Sequence, residues 1–311
     1  MTSAVVFAYH DVGVRCLTAL LDLCIDIPLV VSHRDDPGEN IFFESVAKLA
    51  SSRGIECVFP DDADSPELLA RLKSLRPDFI FSFYYRRMLR PALLACAQRG
   101  AFNMHGSLLP RYRGRAPVNW AVLHGESETG ATLHEMVEKP DAGRIVDQEA
   151  VPIGPDDTAG EVFARVTLAA ETVARRAIPR LVDGSAVLRV QELALGSYFG
   201  GRKPEDGRID WRASAQTVHN LVRAVAPPYP GAFTQLAGDT LKILKTRVLA
   251  EKIPAIAHPS LFVRPSENHL TAVCADTSAL AVLEMQFNSA AFTPAQFLSR
   301  FGPNPIFMQA V

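Results

Sequence analysis

The stretch richest in chemically useful side chains is FNMHGSLLP, which spans residues 102–110. Asn103 and His105 stand two positions apart at the end of an extended run, and Gly106 and Pro110 then turn the chain. Alternate residues of a strand point to the same face, so both side chains can reach one reacting group. An amide N–H can stabilise negative charge on an oxygen, and an imidazole can donate or accept a proton. The spacing therefore predicts a reactive site at a strand end.

A carboxylate follows in the loop EKPDAG, where Asp141 stands among small residues. Next to an imidazole, a carboxylate stabilises the protonated ring, and we expect Asp141 to do this for His105. Such a trio suits acyl or formyl transfer to an amine, which passes through a tetrahedral intermediate with an oxyanion. A simpler interpretation stays open, because Asn and Asp near turns often cap backbone groups and a single His often only packs in a core.

The elements that must position these residues alternate between strand and helix. Short apolar runs predict strands at AVVFAYH, IPLVVSH, IECVF, DFIFSFYY and AFNMHGSLLP. Helical spacing and end signals predict helices over 11–24, 41–54, 65–75 and 91–100, and further along over 116–123. Ser65 is expected to open the third of these helices, with Pro66 at its first position. This alternation predicts an α/β fold with a parallel sheet covered by helices. Ligands of such sheets bind at the carboxyl ends of the strands, where Asn103 and His105 lie.

Composition and missing motifs argue against several functional classes. The 311 residues carry a net charge of -2, which gives no overall attraction to nucleic acid or anionic lipid. The chain lacks GxGxxG, P-loop, HExxH and GxSxG motifs and any Cys/His cluster, which disfavours nicotinamide, ATP, metal and serine-hydrolase chemistry. Five cysteines without paired spacing predict buried free thiols in a reducing compartment. With no recognisable signal peptide or spanning segment, we expect a cytoplasmic protein without a membrane partner.

The pattern changes near residue 203. A helix is predicted over 208–225, and short apolar runs separated by Gly, Pro, Asn and Asp follow it. These runs predict a small β subdomain, so we expect two domains, 1–203 and 204–311.

The stretches NMHGSLLPRYRGRAP, Thr129-Gly130 and PDAG resemble the folate-dependent formyltransferase family, whose signature is Asn-x-His, then SLLP, then a distant Asp. The resemblance covers nearly the whole chain. It implies a Rossmann-like catalytic domain followed by an OB-like β subdomain. It also implies 10-formyltetrahydrofolate as the formyl donor, no metal, and Asn103, His105 and Asp141 as the catalytic residues.

The resemblance further implies the residues that bind the folate, and the sequence itself adds candidates for the acceptor. Folate contacts correspond to Arg87, Met88, Leu89, Arg115, Val137, Glu138, Lys139, Pro140 and Asp141. Acceptor contacts are expected at Tyr9, His10, Arg113, Arg202 and Lys203, the last two as diphosphate ligands beside two glycines. Simpler roles stay open: Arg115 could only cap or form an ion pair, Met88 and Leu89 could be core residues, and Arg202 and Lys203 could lie in a solvated linker.

The acceptor is expected to be a UDP-amino sugar. The stretches VVFAYHDVG, FIFSFYYRR and HNLVRAVAPPYPGAF most resemble members that formylate UDP-4-amino-4-deoxy-L-arabinose, a step in lipid A modification and polymyxin resistance. Since those members carry a further decarboxylase domain for which no room remains after Val311, we expect a stand-alone formyltransferase or an excised domain.

Two alternatives remain, a methionyl-tRNA formyltransferase and a 10-formyltetrahydrofolate hydrolase. A tRNA enzyme needs cations against phosphates, whereas residues 33–40, HRDDPGEN, set one arginine against three carboxylates. This segment favours a small acceptor over a nucleic acid.

Overall fold

The structure is a computed structural model that describes residues 1–36, 38, 40–253, 259–264 and 269–308. The chain divides into two compact units. The first unit comprises Met1–Pro117, Glu128–Pro152 and Phe163–Gly201, and the second comprises Val118–Ser127, Ile153–Val162 and Arg202–Val311.

The elements are named in chain order. Up to residue 201 they are β1 (Ser3–Ala8), α1 (His10–Asp22), β2 (Asp26–Val31), α2 (Val46–Ser52), β3 (Cys57–Val58), α3 (Pro66–Leu75), β4 (Phe79–Phe83), α4 (Pro91–Leu94), β5 (Gly100–His105), β6 (Arg113–Gly114), α5 (Pro117–Leu123), β7 (Glu128–Glu135), β8 (Ile145–Pro152), α6 (Ala159–Asp183) and β9 (Tyr198–Phe199). From residue 202 they are α7 (Ala215–Val225), β10 (Ala232–Leu236), β11 (Asp239–Leu249), β12 (Ser260–Val263), β13 (Leu270–Val273), β14 (Ala279–Phe287), β15 (Ala290–Ala291), α8 (Pro294–Phe301) and β16 (Ile306–Phe307).

The sheet of the first unit has the strand order β3-β2-β1-β4-β5-β7-β8. The strands from β3 to β5 pair in parallel, as the sequence predicts for a Rossmann-like fold. The sheet is extended on one side by β7 and β8, which pair antiparallel. The chain leaves β1 toward β3 and returns to place β4 on the other side of β1. The switch in direction opens a crevice at the carboxyl ends of these strands.

Side-chain caps explain why three helices begin where they do. Ser65 accepts a hydrogen bond from the backbone N–H of Leu68 at 3.3 Å, and Pro66 opens α3 as predicted. Ser45 caps α2 in the same way, so the helix predicted over 41–54 begins only at Val46. Ser214 caps α7, which therefore begins at Ala215 rather than at the predicted residue 208.

The helix predicted over 91–100 is also shorter than expected. Helix α4 ends at Leu94, because the N–H groups of Gln98 and Arg99 donate instead to the carbonyls of Pro77 and Asp78. These bonds bring the chain into β5.

Helices α6 and α8 are absent from the predicted elements. The buried face of α6 is built largely from alanine and valine, which contrast little with their neighbours, and Pro179 stands inside the helix. Helix α8 spans only Pro294–Phe301 and is started by a capping box between Thr293 and Gln296. Its short length gives little periodicity to detect.

The second unit has an antiparallel sheet in the order β10-β11-β14-β13-β12-β16, with β15 paired to β14. Its core contains the buried Trp211, the apolar face of α7 and Phe297 of α8, packed with residues of the strands. This confirms the predicted C-terminal β subdomain. The exact domain boundary at 203/204 stays a prediction.

All five cysteines are free. Cys16, Cys96 and Cys274 are buried and Cys57 is half-buried, but Cys24 is exposed, so the prediction of buried thiols was wrong there. Among the described residues, no helix combines the length and apolar character needed to cross a membrane.

Candidate active site

The pairing of β5 with β7 sets the positions of the polar residues. In the antiparallel register, Asn103 lies opposite His134 and His105 lies opposite Thr132. His105, His134 and Thr132 are buried. The end of β5 thus carries a polar cluster at the edge of an apolar core, where each group needs a hydrogen-bond partner.

Asn103 is held by His134. The amide Nδ2 of Asn103 lies 3.1 Å from Nε2 of His134, and Nδ1 of His134 lies 2.8 Å from the carbonyl oxygen of Glu135. Because a carbonyl can only accept, Nδ1 of His134 carries a proton, and in the neutral ring Nε2 accepts from the amide. One N–H of the Asn103 amide is used in this way, which leaves its second N–H for another acceptor.

His105 has one ring nitrogen committed to the backbone. Its Nε2 lies 2.8 Å from the carbonyl oxygen of Tyr112, so Nε2 carries a proton and donates. Its Nδ1 lies 3.6 Å from Oδ1 of Asp141. The nitrogen that remains for proton exchange is therefore Nδ1, next to a carboxylate.

Asp141 is nearly buried, with 13% of its side chain exposed. Its Oδ1 lies 3.4 Å from Nε2 of His134, and its Oδ2 accepts from the N–H of Gly114 at 2.9 Å. Burial would raise the pKa of the Asp141 carboxyl, but the positive charge of His105 and His134 when these rings are protonated, together with the Gly114 amide, outweighs burial and holds the pKa below its ordinary value. The carboxylate is thus ionised at neutral pH.

The loop between His105 and Tyr112 is fixed by hydroxyl groups. Ser107 Oγ donates to the carbonyl of Arg111 at 2.6 Å, and Thr132 Oγ1 donates to the carbonyl of Ser107 at 2.6 Å. Gly106 leaves room for Tyr84, because a Cβ there would overlap the hydroxyl oxygen of that side chain and displace it. The rigid loop presents the Tyr112 carbonyl to His105.

Together these groups can serve an addition to a carbonyl carbon. A free amide N–H can donate to an oxyanion, and Nδ1 of the imidazole can exchange a proton while the carboxylate stabilises the imidazolium. Within the described ranges, no group of three or more His, Cys, Asp or Glu side chains is arranged to hold a metal ion.

Comparison with known families identifies the chain. Residues 15–178 match the family described as formyl transferase, and residues 202–302 match the formyl transferase C-terminal domain. The chain belongs to the formyl transferase family. The first match contains Asn103, His105 and Asp141.

Solved structures share the fold of this formyl transferase. An N-formyltransferase from Helicobacter canadensis, in complex with folinic acid and dTDP-3-aminofucose, is 20% identical with a TM-score of 0.70 over 91% of this chain and 99% of its own. A sugar 3N-formyl transferase solved in the presence of dTDP and 5-N-formyl-THF is 21% identical with a TM-score of 0.70 over 92% and 98%. HypX from Aquifex aeolicus, in complex with tetrahydrofolic acid, is 18% identical with a TM-score of 0.62 over 96% of this chain and 47% of its own.

The predicted folate residues of the formyl transferase differ in exposure. Met88 is 57% exposed, whereas Leu89 is buried and packs in a hydrophobic core. Arg87 donates to the carbonyl of Pro60 at 2.6 Å. Arg115 is exposed and follows Gly114, the residue whose amide binds Asp141.

The predicted folate loop leads directly into the polar cluster. Val137, Glu138 and Lys139 are exposed and Pro140 is half-buried. Gln191 holds the end of this loop, since its Nε2 donates to the carbonyls of Asp141 and Gly143 at 3.0 and 2.6 Å. The loop therefore offers exposed surface beside a fixed carboxylate.

The predicted acceptor residues of the first unit lie at strand ends but are not all open. Tyr9 is buried and donates from its hydroxyl to Asp35 at 3.0 Å, and His10 stacks on Phe43 with the ring centroids 4.0 Å apart. Arg113 is buried, and its Nε has no hydrogen-bond partner among the described residues. Residues 33–40 include Pro37 and Glu39, which lie outside the described residues.

Arg202 and Lys203 belong to the second unit. The guanidinium of Arg202 lies 4.7 Å from the centroid of the Trp120 ring and donates to the carbonyl of Asp206 at 3.0 Å. The N–H of Lys203 donates to the Asp206 carboxylate at 2.7 Å. Arg202 and Lys203 therefore lie at the start of a hydrogen-bonded turn over Pro204–Gly207.

The sequence analysis missed His134, Tyr112, Gly114 and Gln191 as members of this site. His134 had a detectable signal, because the apolar alternation of ATLHEMV is interrupted by one imidazole. Tyr112 and Gly114 bind the catalytic candidates through their backbones, which leave no mark on residue type, and Gln191 contacts the backbone of Asp141 from a distant part of the chain.

Proposed function

We propose that this formyl transferase moves the formyl group of 10-formyltetrahydrofolate to the amine of a nucleotide-linked amino sugar. The observation that carries the proposal is the geometry of His105. Its Nε2 is committed to the Tyr112 carbonyl and its Nδ1 faces the ionised Asp141, beside the amide of Asn103 on the same strand.

In the proposed reaction, the acceptor amine attacks the formyl carbon and a new C–N bond forms. The unused N–H of Asn103 donates to the oxyanion of the tetrahedral intermediate. His105 Nδ1 takes the proton that the amine loses, and Asp141 stabilises the resulting imidazolium. When the intermediate collapses, the bond from the formyl carbon to folate N10 breaks, and the proton passes to N10.

Two observations support a folate donor. The solved relatives named above carry folinic acid, 5-N-formyl-THF or tetrahydrofolic acid. In this chain, the exposed Met88 side chain and the exposed loop at 137–139 offer apolar and backbone contacts to a flat heterocycle.

A sugar nucleotide is supported over tRNA by two further observations. Two relatives with a TM-score of 0.70 are described with dTDP-3-aminofucose or with dTDP. This chain has a net charge of -2 and therefore no overall attraction to a polyanion. UDP-4-amino-4-deoxy-L-arabinose is the first acceptor to test, because the sequence resemblance favours it.

The test is an acceptor panel with 10-formyltetrahydrofolate as donor. Tetrahydrofolate release and the mass of the acceptor are followed with UDP-4-amino-4-deoxy-L-arabinose, with a dTDP-amino sugar, with methionyl-tRNA and with no acceptor. We expect release that depends on a sugar nucleotide and an acceptor heavier by one formyl group.

The other acceptors in the panel distinguish the alternative functions. Release with the dTDP-amino sugar alone would retain the acceptor class and exclude the arabinose derivative. Release only with methionyl-tRNA would contradict a small acceptor, and it should weaken steeply as salt is raised. Release with no acceptor would identify a hydrolase.

A further inference from the structure

We propose that the short strand β9 and the preceding Ser197 position His105 and Asp141 for reaction. They act through the backbone of the facing segment from Tyr112 to Gly114. The inference rests on the proposed function, because it concerns the same catalytic pair. It assigns Ser197 and Phe199 as positioning residues, far from that pair in sequence.

Both members of the catalytic pair are held by one short backbone segment. The Tyr112 carbonyl accepts from Nε2 of His105 at 2.8 Å, and the Gly114 N–H donates to Oδ2 of Asp141 at 2.9 Å. The first bond fixes which ring nitrogen of His105 carries the proton. The second orients the carboxylate that faces the other nitrogen. A shift of this segment would therefore disturb both groups at once.

The segment is held in turn by β9. In the part of the chain that the structure describes, β6 pairs with β9 and with no other strand. The N–H of Arg113 donates to the Ser197 carbonyl at 3.0 Å, and the N–H of Arg115 donates to the Phe199 carbonyl at 2.9 Å. The segment thus lies outside the seven-stranded sheet that carries His105.

Side-chain contacts at Tyr112 add to the backbone hydrogen bonds between β6 and β9. Its N–H donates to Ser197 Oγ at 2.9 Å, and its ring stacks on Phe199 with the centroids 5.3 Å apart. Gly114 completes the fit, because its φ is +98° and a Cβ would overlap the carbonyl oxygen of Phe199. The close approach of the two backbones therefore requires glycine at this position.

Catalysis requires such support, because misplacing a reacting group by about 1 Å can cost on the order of 100-fold in rate. β9 ends directly before the Gly200-Gly201 pair, which precedes the candidate diphosphate ligands Arg202 and Lys203. The strand is therefore continuous in sequence with the predicted acceptor loop.

Four variants test the proposal. Gly114→Ala displaces the amide from Asp141, and Ser197→Ala removes the hydroxyl that binds the Tyr112 N–H. Ser197→Thr keeps a hydroxyl and is the conservative rescue. Tyr198→Ala is the matched control, because its side chain lies on the same strand but is 58% exposed.

The first readout is independent of any substrate. Imidazole nitrogen chemical shifts of His105, assigned by their loss in His105→Gln, report which ring nitrogen is protonated. We expect the Nε2–H form in the native protein, Ser197→Thr and Tyr198→Ala, and a mixture of tautomers in Gly114→Ala and Ser197→Ala. This readout stands even if the acceptor panel shows no formyl transfer.

The second readout is the formyl-transfer assay. We expect kcat to fall on the order of 100-fold in Gly114→Ala and about five-fold to ten-fold in Ser197→Ala, with KM unchanged. Unchanged His105 tautomers and kcat in both variants would overturn the proposal, as would an equal loss in Tyr198→Ala. If Gly114→Ala does not fold, the comparison of Ser197→Ala with Ser197→Thr decides the question.

Discussion

Asn103, His105 and Asp141 share one feature at the residue scale: the protein occupies some of their hydrogen-bonding positions and leaves others for a ligand. His134 takes one N–H of Asn103, the Tyr112 carbonyl takes Nε2 of His105, and the Gly114 N–H takes Oδ2 of Asp141. Each side chain is therefore fixed in orientation before a substrate binds. Such preorganisation is the main source of electrostatic catalysis in enzymes.

The depressed pKa of Asp141 predicts a pH-dependent contribution to stability. Because its folded-state pKa lies below the unfolded-state value of about 3.9, the contribution is fully present above that value and is lost as the pH falls toward the folded-state pKa. Asp141→Asn removes the charge with little change of shape. We expect it to lower the free energy of unfolding by about 1.5 to 3 kcal/mol at neutral pH.

Urea unfolding of the native protein and Asp141→Asn at neutral pH and at about pH 3.5 measures this contribution. The difference between the two proteins should shrink at the lower pH. A difference that stays constant or grows would show that the Asp141 charge does not stabilise the fold.

The catalytic candidates could be predicted because their chemistry resides in side chains. Asn103 and His105 are separated by one residue in a strand. The structure places His105 beside Asp141 and joins Asn103 to His134, which also lies next to Asp141. The partners that orient them could not be predicted in the same way. Tyr112 and Gly114 contribute a carbonyl and an amide, which every residue has, and only the fold selects these two.

At the element scale, α7 shows how buried polar side chains join a helix to a loop within the second unit. Arg223 is 5% exposed. It donates to Asn220 Oδ1 at 3.1 and 3.0 Å, and to the carbonyls of Gly154 and Asp157, each at 3.3 Å. The guanidinium thus satisfies backbone acceptors that precede α6.

Arg223→Ala is expected to destabilise the second unit by about 2 kcal/mol or more, because each buried acceptor left without a partner costs about 1 to 3 kcal/mol. Arg212→Ala is the matched control. Its ion pair with Asp210 is largely exposed on both sides, so its loss should cost less than about 1 kcal/mol. Unfolding midpoints in urea distinguish the two variants. Equal midpoints would contradict the structural role of Arg223.

Element boundaries were predictable where the chain carries a cap. Ser65 and Pro66 mark the start of α3, and both were read from the sequence. Ser45 and Ser214 are also caps, but each stands inside a longer helical pattern that obscured it. The antiparallel direction of β7 was not predictable, because an alternating run does not reveal which neighbour it pairs with.

At the scale of the whole molecule, the first unit has the architecture of an α/β domain and the second unit that of a small antiparallel β subdomain. The family matches cover residues 15–178 and 202–302, one mainly in each unit. Alternating strands and helices predicted the first fold class, and short apolar runs predicted the second. The long helix α6 was not predicted from the sequence, because an alanine-rich face differs little in hydropathy from the residues around it.

The most direct test of the account is the effect of His105→Ala on formyl transfer, with donor binding measured separately. The single-turnover rate constant for transfer from 10-formyltetrahydrofolate to the accepted sugar nucleotide is measured in the native protein and in His105→Ala. The dissociation constant for the folate is measured in the same two proteins. We expect transfer to be lost while folate binding is retained, because the role proposed for His105 is to move a proton and not to anchor the donor. Full transfer activity in His105→Ala would contradict the role assigned to the cluster at the end of β5.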